Sequence, residues 1–191
     1  MLSERFEQAL VFATRLHAHQ LRKGTHIPYI AHLLGVTALV LEDGGDEDQA
    51  IAALLHDAVE DQGGRKTLDE IELEFGNRVA KIVEMCTDSF ETPKPEWHKR
   101  KTEYLEHLSE APLDVQRVAL ADKVHNARSI LRDLRVEGDG VWKRFNGGKE
   151  GTVWYYSALV EHFRNLNISN MAEELKKLVK ELNTFADKQI C

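Results

Sequence analysis

The sequence predicts an all-α fold of about eight to ten helices in a single domain, and three observations carry that expectation. Apolar residues recur at spacings of three and four through most of the chain. Ser, Asp and Thr stand before these stretches and Gly after them, where helices start and stop. β-Branched residues nowhere alternate over a strand length, and neither a repeat nor a linker interrupts the pattern. A chain of 191 residues can bury roughly 70% of its unfolded surface around one core.

Ser3 caps a first helix whose apolar side carries Phe6, Ala9, Leu10, Ala13 and Leu16; it runs towards Gln20 and stops near Gly24. A second, mostly buried helix covers about 31–41 and ends at Gly44 and Gly45. Asp46 caps a third, expected from Glu47 through about Asp61. Thr67 and Glu70 have the spacing of a capping box, in which each side chain satisfies the other residue's free amide, so a short helix should reach Phe75 and Gly76. Asn77 starts the next. Pro93 and Pro95 break the pattern after Asp88, and a charged helix follows around 96–108, ending before Pro112. From Asp114 to about Leu134 the apolar set Val115, Val118, Ala119, Ala121, Val124, Ile130 and Leu131 is helical. Gly138, Gly140, Gly147, Gly148 and Gly151 make 136–151 read as a mobile loop. The last two helices are expected at about 152–166 and, capped by Ser169, at 170–187, so residues 1–191 form one domain with its core at about 6–166.

Charge excludes some classes of function. The 25 Lys and Arg against 32 Asp and Glu leave a formal net charge of −7. This argues against broad binding to nucleic acid or anionic membrane, so an anionic ligand must meet a local basic site. No apolar run approaches the ~20 residues of a membrane span and no leader pattern opens the chain, so a cytoplasmic location is expected. Cys86 and Cys191 stand far apart without a CxxC partner and form no disulfide framework.

The chemistry concentrates in Ala-Leu-Leu-His56-Asp57-Ala-Val-Glu60-Asp61. Helical spacing puts Glu60 above His56 and Asp61 above Asp57 at the end of an otherwise apolar helix. Carboxylates are unfavourable at a helix C-terminus unless a cation is near, and a metal ion would supply one; a solvated helix end with a core histidine is the plainer alternative. His32 sits in Pro28-Tyr29-Ile30-Ala31-His32 and Asp122 in an apolar stripe, where a buried carboxylate needs a partner. Each also reads as an ordinary satisfied residue, His32 bonded to backbone and Asp122 paired with Lys123 or an arginine.

Taken together, His32, His56-Asp57 and Asp122 resemble the H…HD…D pattern of HD-domain metal-dependent phosphohydrolases. More narrowly, Arg22-Lys23-Gly24, Pro28-Tyr29-Ile30-x-His32, His56-Asp57-x-x-Glu60-Asp61, Glu74-Phe75-Gly76-Asn77 and Asp122-Lys123-Val124-His125-Asn126-x-Arg128 are similar to the hydrolase domain of RelA/SpoT-type enzymes and their small stand-alone relatives. The likeness spans about 6–163. It implies an HD-type hydrolase domain that removes the 3′-pyrophosphate of guanosine tetra- and pentaphosphate, the alarmones of the stringent response, to give GDP or GTP and pyrophosphate.

The resemblance also implies roles. His32, His56, Asp57 and Asp122 would hold one divalent ion, usually Mn²⁺; two imidazoles and two carboxylates without thiolate independently suit Mn, Fe, Co, Ni or Zn. Glu60 and Asp61 would orient and deprotonate water or protonate the leaving oxygen. Arg22, Lys23, Lys123, Asn126 and Tyr156 would contact the guanine nucleotide, with Arg22 suited to stacking on a purine and Lys23 to phosphate. Rival readings are an HD phosphohydrolase acting on NADPH or a deoxynucleotide, and a nucleotide-binding module without turnover. Nucleic acid and membrane are not expected partners, and a homo-oligomer is compatible with the sequence without being specified by it. Two features depart from the family: the basic, glycine-rich Gln62-Gly63-Gly64-Arg65-Lys66, which suggests an added phosphate contact, and Gly151-Thr152 in place of Glu-Thr, which suggests a looser pocket wall. Trp97, Trp142 and Lys99-Arg100-Lys101 carry no readable role, and the charges read as a solvated face.

Overall fold

The structure, a computed structural model, describes residues 1–90, 93, 95–164 and 170–187. Among these residues are ten α-helices and one 3₁₀ segment: α1 (Glu4–Leu16), α2 (Ile30–Glu42), α3 (Glu47–Leu55), α4 (Ala58–Gln62), α5 (Arg65–Phe75), α6 (Asn77–Cys86), α7 (Trp97–Ser109), α8 (Leu113–Glu137), the 3₁₀ segment Gly138–Arg144, α9 (Gly148–Phe163) and α10 (Asn170–Asp187). An isolated antiparallel bridge, Leu21 to Pro28, is the one β-pairing among them. The all-α class is as the periodicity predicts. No described helix is long and apolar enough to cross a membrane.

Packing follows from which helices are apolar all round. Residues Ala50 to Leu55 of α3 are wholly buried, and α2 contributes Leu33, Val36, Leu39 and Val40. The 25-residue α8 buries one side along its whole length and packs on α2, α3, α6, α10 and the 3₁₀ segment. It is the strut on which the others assemble, and its middle carries Asp122, Lys123 and Asn126.

Two caps behave as the sequence suggests and one does not. Ser3 accepts from the Arg5 amide, and Asp46 with Gln49 forms a full capping box at α3. The Thr67–Glu70 box is absent: α5 starts earlier, behind Gly64 at φ +62°, and Thr67 lies within it, donating its hydroxyl to the Gln62 carbonyl. The first helix ends at Leu16, before Gln20. The Ser169 cap falls outside the described residues.

The third helix does not continue to Asp61. It breaks at His56-Asp57, where the His56 imidazole takes the Ala53 carbonyl through Nδ1 at 2.8 Å and so satisfies an end of α3 with a side chain. Glu60 and Asp61 therefore stand in the first turn of α4, where the helix dipole favours carboxylates. The electrostatic argument for a cation at a helix C-terminus does not apply here.

The expected mobile loop is also overturned. Val141 and Trp142 are buried in the 3₁₀ segment, and α9 begins at Gly148 rather than Thr152. Gly138 (φ +65°) and Gly148 (φ +59°) mark helix boundaries. Gly147 and Gly151 serve contact instead: a Cβ on either would lie 2.6 and 2.9 Å from the Trp97 ring. Trp97 thus lies across the first turn of α9, and the wall that Gly151 was expected to loosen is filled by its indole. Gly147→Ala is expected to cost about 1–3 kcal/mol by overpacking, read from urea denaturation; a change under about 0.5 kcal/mol would show that the indole is not seated there.

Candidate active site

Four side chains from three places in the sequence converge behind one cavity. His32 projects from α2, His56 and Asp57 from the α3–α4 break, and Asp122 from the middle of α8. Asp57 Oδ2 lies 3.1 Å from His56 Nε2 and 3.5 Å from His32 Nε2. Asp122 Oδ1 lies 3.2 Å from His32 Nε2 and 3.7 Å from His56 Nε2. The imidazoles are 1% and 3% exposed. Neither Nε2 has a hydrogen-bond partner among the described residues, although such buried atoms are normally satisfied.

Both Nδ1 atoms, Asp57 Oδ2 and both Asp122 oxygens are held by neighbours. His56 Nδ1 is fixed by the Ala53 carbonyl, which leaves Nε2 as the lone-pair nitrogen. His32 Nδ1 is 2.9 Å from His125 Nδ1. Burial, His32 and Arg22 push the His125 imidazole down to about 4, so it is neutral and can accept from His32. Tyr29 donates its hydroxyl to Asp57 Oδ2 at 2.5 Å; burial and the Asp57 carboxylate push its pKa up and keep the phenol protonated. Asp122 accepts from Lys123 Nζ at 2.6 Å and from Asn126 Nδ2 at 2.5 Å, and Arg22 Nη2 donates to Asn126 Oδ1 at 2.6 Å.

The electrostatics call for positive charge between the imidazoles. Burial opposes ionisation of Asp57 and Asp122, yet the neighbouring imidazoles, and Lys123 in the case of Asp122, hold both carboxyls well below their usual range. Burial likewise opposes charge on His56, and Asp57 and Asp122 reverse that, holding its imidazole well above its ordinary value. Orphaned Nε2 atoms and anionic oxygens are the donor set of a divalent transition metal. His32, His56 and Asp57 each offer a donor atom within 4.8 Å of the others and could hold such an ion; Asp122 adds a fourth oxygen near both nitrogens.

In front of the cluster lies a cavity of about 500 Å³. Glu60, Asp61, Arg22, Lys23, Lys123, Asn126 and Tyr156 all line it, so every residue assigned to catalysis or nucleotide contact from the sequence reaches one space. The four candidate metal ligands do not form its wall; they lie behind it, Asp57 bonded to its residue Tyr29 and Asp122 to its residues Lys123 and Asn126. Asp61 accepts from Gln20 Nε2 at 2.7 Å, and Gln20 is itself held by Gln62 and His17. The bridge at Leu21–Pro28 sets Arg22 over the Tyr29 ring at 5.7 Å, while Lys23 reaches Asn146 at 3.2 Å. Tyr156 is 5% exposed.

Seven basic side chains, Arg22, Lys23, Arg100, Lys101, Lys123, Arg132 and Arg144, face four carboxylates, Glu60, Asp61, Asp88 and Asp133, around this space. A net-acidic protein thus supplies the local basic site that an anionic ligand requires.

Some assignments change. Arg65 pairs with Glu84 and lies over the Phe90 ring, and Lys66 is exposed beside Glu70, so the basic glycine-rich segment gives the cavity no phosphate contact. The basic run on α7 is not one solvated face: Lys99 is exposed, but Arg100 and Lys101 turn inward with Trp97. Tyr29, His125 and Gln20 hold Asp57, His32 and Asp61; the sequence shows the first two only as members of motifs, without a role, and gives Gln20 none. The signal was there in spacing, since Tyr29 is three residues before His32 and His125 three after Asp122, each pair on one helical side.

The chain is similar to known proteins over most of its length. The family model described as HD domain matches residues 9–153. A Xenopus tropicalis protein named guanosine-3′,5′-bis(diphosphate) 3′-pyrophosphohydrolase MESH1 is 43% identical over 128 residues, 65% of this chain and 69% of its own. An Aquifex aeolicus guanosine-3′,5′-bis(diphosphate) 3′-pyrophosphohydrolase is 37% identical over 67% of this chain and 18% of its own. A solved structure described as a metazoan ortholog of SpoT that hydrolyzes ppGpp superposes with a TM-score of 0.78 at 26% identity, covering 95% of this chain and 97% of that one.

Proposed function

This chain belongs to the HD-domain family, and from that premise we propose that it is a metal-dependent hydrolase of the 3′-pyrophosphate of guanosine tetra- and pentaphosphate. The observation that carries the reading is the juxtaposition of a buried imidazole–carboxylate cluster with a basic cavity into which Glu60 and Asp61 also open. We read residues 1–191 as one HD-type hydrolase domain acting in the cytoplasm.

His32, His56, Asp57 and Asp122 hold one divalent ion, with Mn²⁺ assigned, and their orphaned Nε2 atoms and depressed carboxyls support that set. A bound divalent ion supplies polarisation of a phosphoryl oxygen and hydroxide at neutral pH. The chain's own residues do the rest. Arg22 and Lys23 neutralise and orient the nucleotide, and Asn126 and Tyr156 line the ribose and base end. Hydrolysis forms a bond from water oxygen to phosphorus and breaks the bond to the ribose 3′ oxygen. Glu60 takes the water proton, and Asp61, held by Gln20, stands in place to return one to the 3′ oxygen.

The test is ³¹P NMR of the Mn²⁺-loaded protein with guanosine 3′,5′-bis(diphosphate), beside NADPH and a deoxynucleoside triphosphate. GDP and free pyrophosphate are expected; cleavage of another nucleotide alone would move the substrate, and binding without turnover would make the chain a nucleotide-binding module. Tyr29→Phe is expected to weaken Mn²⁺ binding about tenfold, the usual scale for an outer partner of a metal ligand. Calorimetric titration checks this, and an unaltered affinity would remove Tyr29 from support of Asp57.

A further inference from the structure

The inward side of α7 carries charge that the reading above leaves unused. Asp88 and Arg100 have side chains 6% and 9% exposed, and Lys101 17%. Asp88 Oδ2 accepts from Arg100 Nη1 and, at 2.8 Å, from Lys101 Nζ. Asp88 Oδ1 and Arg100 Nε, both buried, have no hydrogen-bond partner among the described residues. Two buried cations share one carboxylate oxygen, so the group carries a positive excess where an unbalanced charge is costly. All three residues line the cavity.

Their position relative to the metal-ligand cluster gives the excess a direction. Lys123 Nζ, 2.6 Å from Asp122, lies 5.1 Å from the centre of the Tyr104 ring, and Lys101 Nζ lies 5.8 Å from the same centre. Lys123 and Lys101 therefore stand by the same ring, and Lys101 is joined to Arg100 through Asp88, so a run of cations connects the cluster to Arg100. The seat of Trp97 on Gly147 and Gly151 fixes this turn of α7 against α9 and keeps the row in the cavity wall.

We propose that Asp88, Arg100 and Lys101 form the subsite for the distal phosphate of the 3′-diphosphate, and that this subsite makes the enzyme prefer diphosphate over monophosphate esters. The proposal rests on the hydrolase reading. A scissile phosphorus at the cluster places the next phosphate of the 3′ chain further along the cation row; a 3′-monophosphate has no group to reach it. Asp88 holds the two cations parked until a phosphate competes for them, so little reorganisation accompanies binding.

The experiment uses the full Mn²⁺-loaded chain and Lys101→Met, which keeps the aliphatic stem. kcat/KM is measured for guanosine 3′,5′-bis(diphosphate) and for guanosine 5′-diphosphate 3′-monophosphate, with pyrophosphate as product inhibitor. The loss on the diphosphate is expected to exceed that on the monophosphate by about tenfold, with pyrophosphate inhibition weakened to a similar degree, the scale of one charge-assisted hydrogen bond. Lys101→Arg should restore most of the selectivity. Asp88→Asn, which releases the cations, should leave pyrophosphate inhibition equal or tighter, whereas a merely structural cluster would weaken it. Equal losses on both nucleotides, or unchanged inhibition by pyrophosphate, would overturn the proposal. Failure of the hydrolase reading shows itself separately, as wild-type protein that releases no pyrophosphate. Calorimetric titration of pyrophosphate onto wild type and Lys101→Met then decides the subsite alone: weaker binding to the variant supports it and equal binding overturns it.

Discussion

Glu60→Gln is expected to keep its metal and lose turnover by about 10²-fold or more. The amide preserves the shape of the side chain but cannot take a proton from water, and positioned acid–base catalysis contributes about 10²–10⁴. Glu60 lies in the first turn of α4 and lines the cavity, whereas His32, His56 and Asp57 are the residues whose donor atoms lie together. Its loss should therefore leave Mn²⁺ affinity within about twofold. Metal content by mass spectrometry and single-turnover release of pyrophosphate check the two halves separately. A near-normal rate would remove Glu60 from the chemistry, and loss of metal would make it a ligand instead. Asp61 differs in being held by Gln20, so Asp61→Asn tests the second proton transfer with the Gln20 contact kept, because an amide oxygen still accepts.

How much of this was legible without coordinates depends on where the deciding interactions lie. Helices set by their own periodicity and caps, such as α2 with its apolar run or the start of α3 behind Asp46, could be read directly. The break at His56-Asp57 could not, because it turns on an imidazole–carbonyl bond inside a segment whose pattern is helical throughout. The glycines of 138–151 misled for a related reason. Two of them end or begin helices and two admit the Trp97 ring, a contact made from 50 residues away in the chain. Composition shows that glycines are present and leaves open whether each serves a turn or a neighbour.

The site divides in the same way. The ligand candidates and the acidic pair stood out because polar residues in apolar surroundings need a reason, and the H…HD…D order connected them. The roles of Tyr29, His125 and Gln20 escaped because their task is to hold another side chain, and an aromatic, an imidazole or an amide within or near a motif has many ordinary explanations. Arg100 and Lys101 escaped because a run of three basic residues reads as surface. Their inward turn becomes legible only on following α7 itself, where Trp97, Arg100 and Lys101, Tyr104 and Leu108 recur at helical spacing along one side.

Asp122→Asn should lose the metal, and hydrolysis with it, while the fold persists. Asparagine keeps the volume, so the α8 packing has no cavity to absorb, but its one oxygen can replace only one of the two acceptors that Lys123 and Asn126 use, and its NH2 turns towards the other donor. What disappears is one negative charge in a buried place where Lys123 is held firmly ionised by Asp122 itself. A unit charge about 4 Å from a cation contributes about 4 kcal/mol per cation charge at an effective dielectric near 20, and relaxation and solvent take back part of it. A fall in Mn²⁺ affinity on the order of 10²–10³-fold follows, with the unopposed Lys123 ammonium adding to the repulsion. Equilibrium dialysis against Mn²⁺ measures it, and far-UV circular dichroism through a thermal ramp confirms that helix content is kept. Unchanged metal occupancy would leave His32, His56 and Asp57 as the protein's share of the site and return Asp122 to a partner of Lys123. The contrast with Glu60→Gln separates two kinds of carboxylate 62 residues apart: one whose loss empties the cluster, and one whose loss leaves it filled and idle.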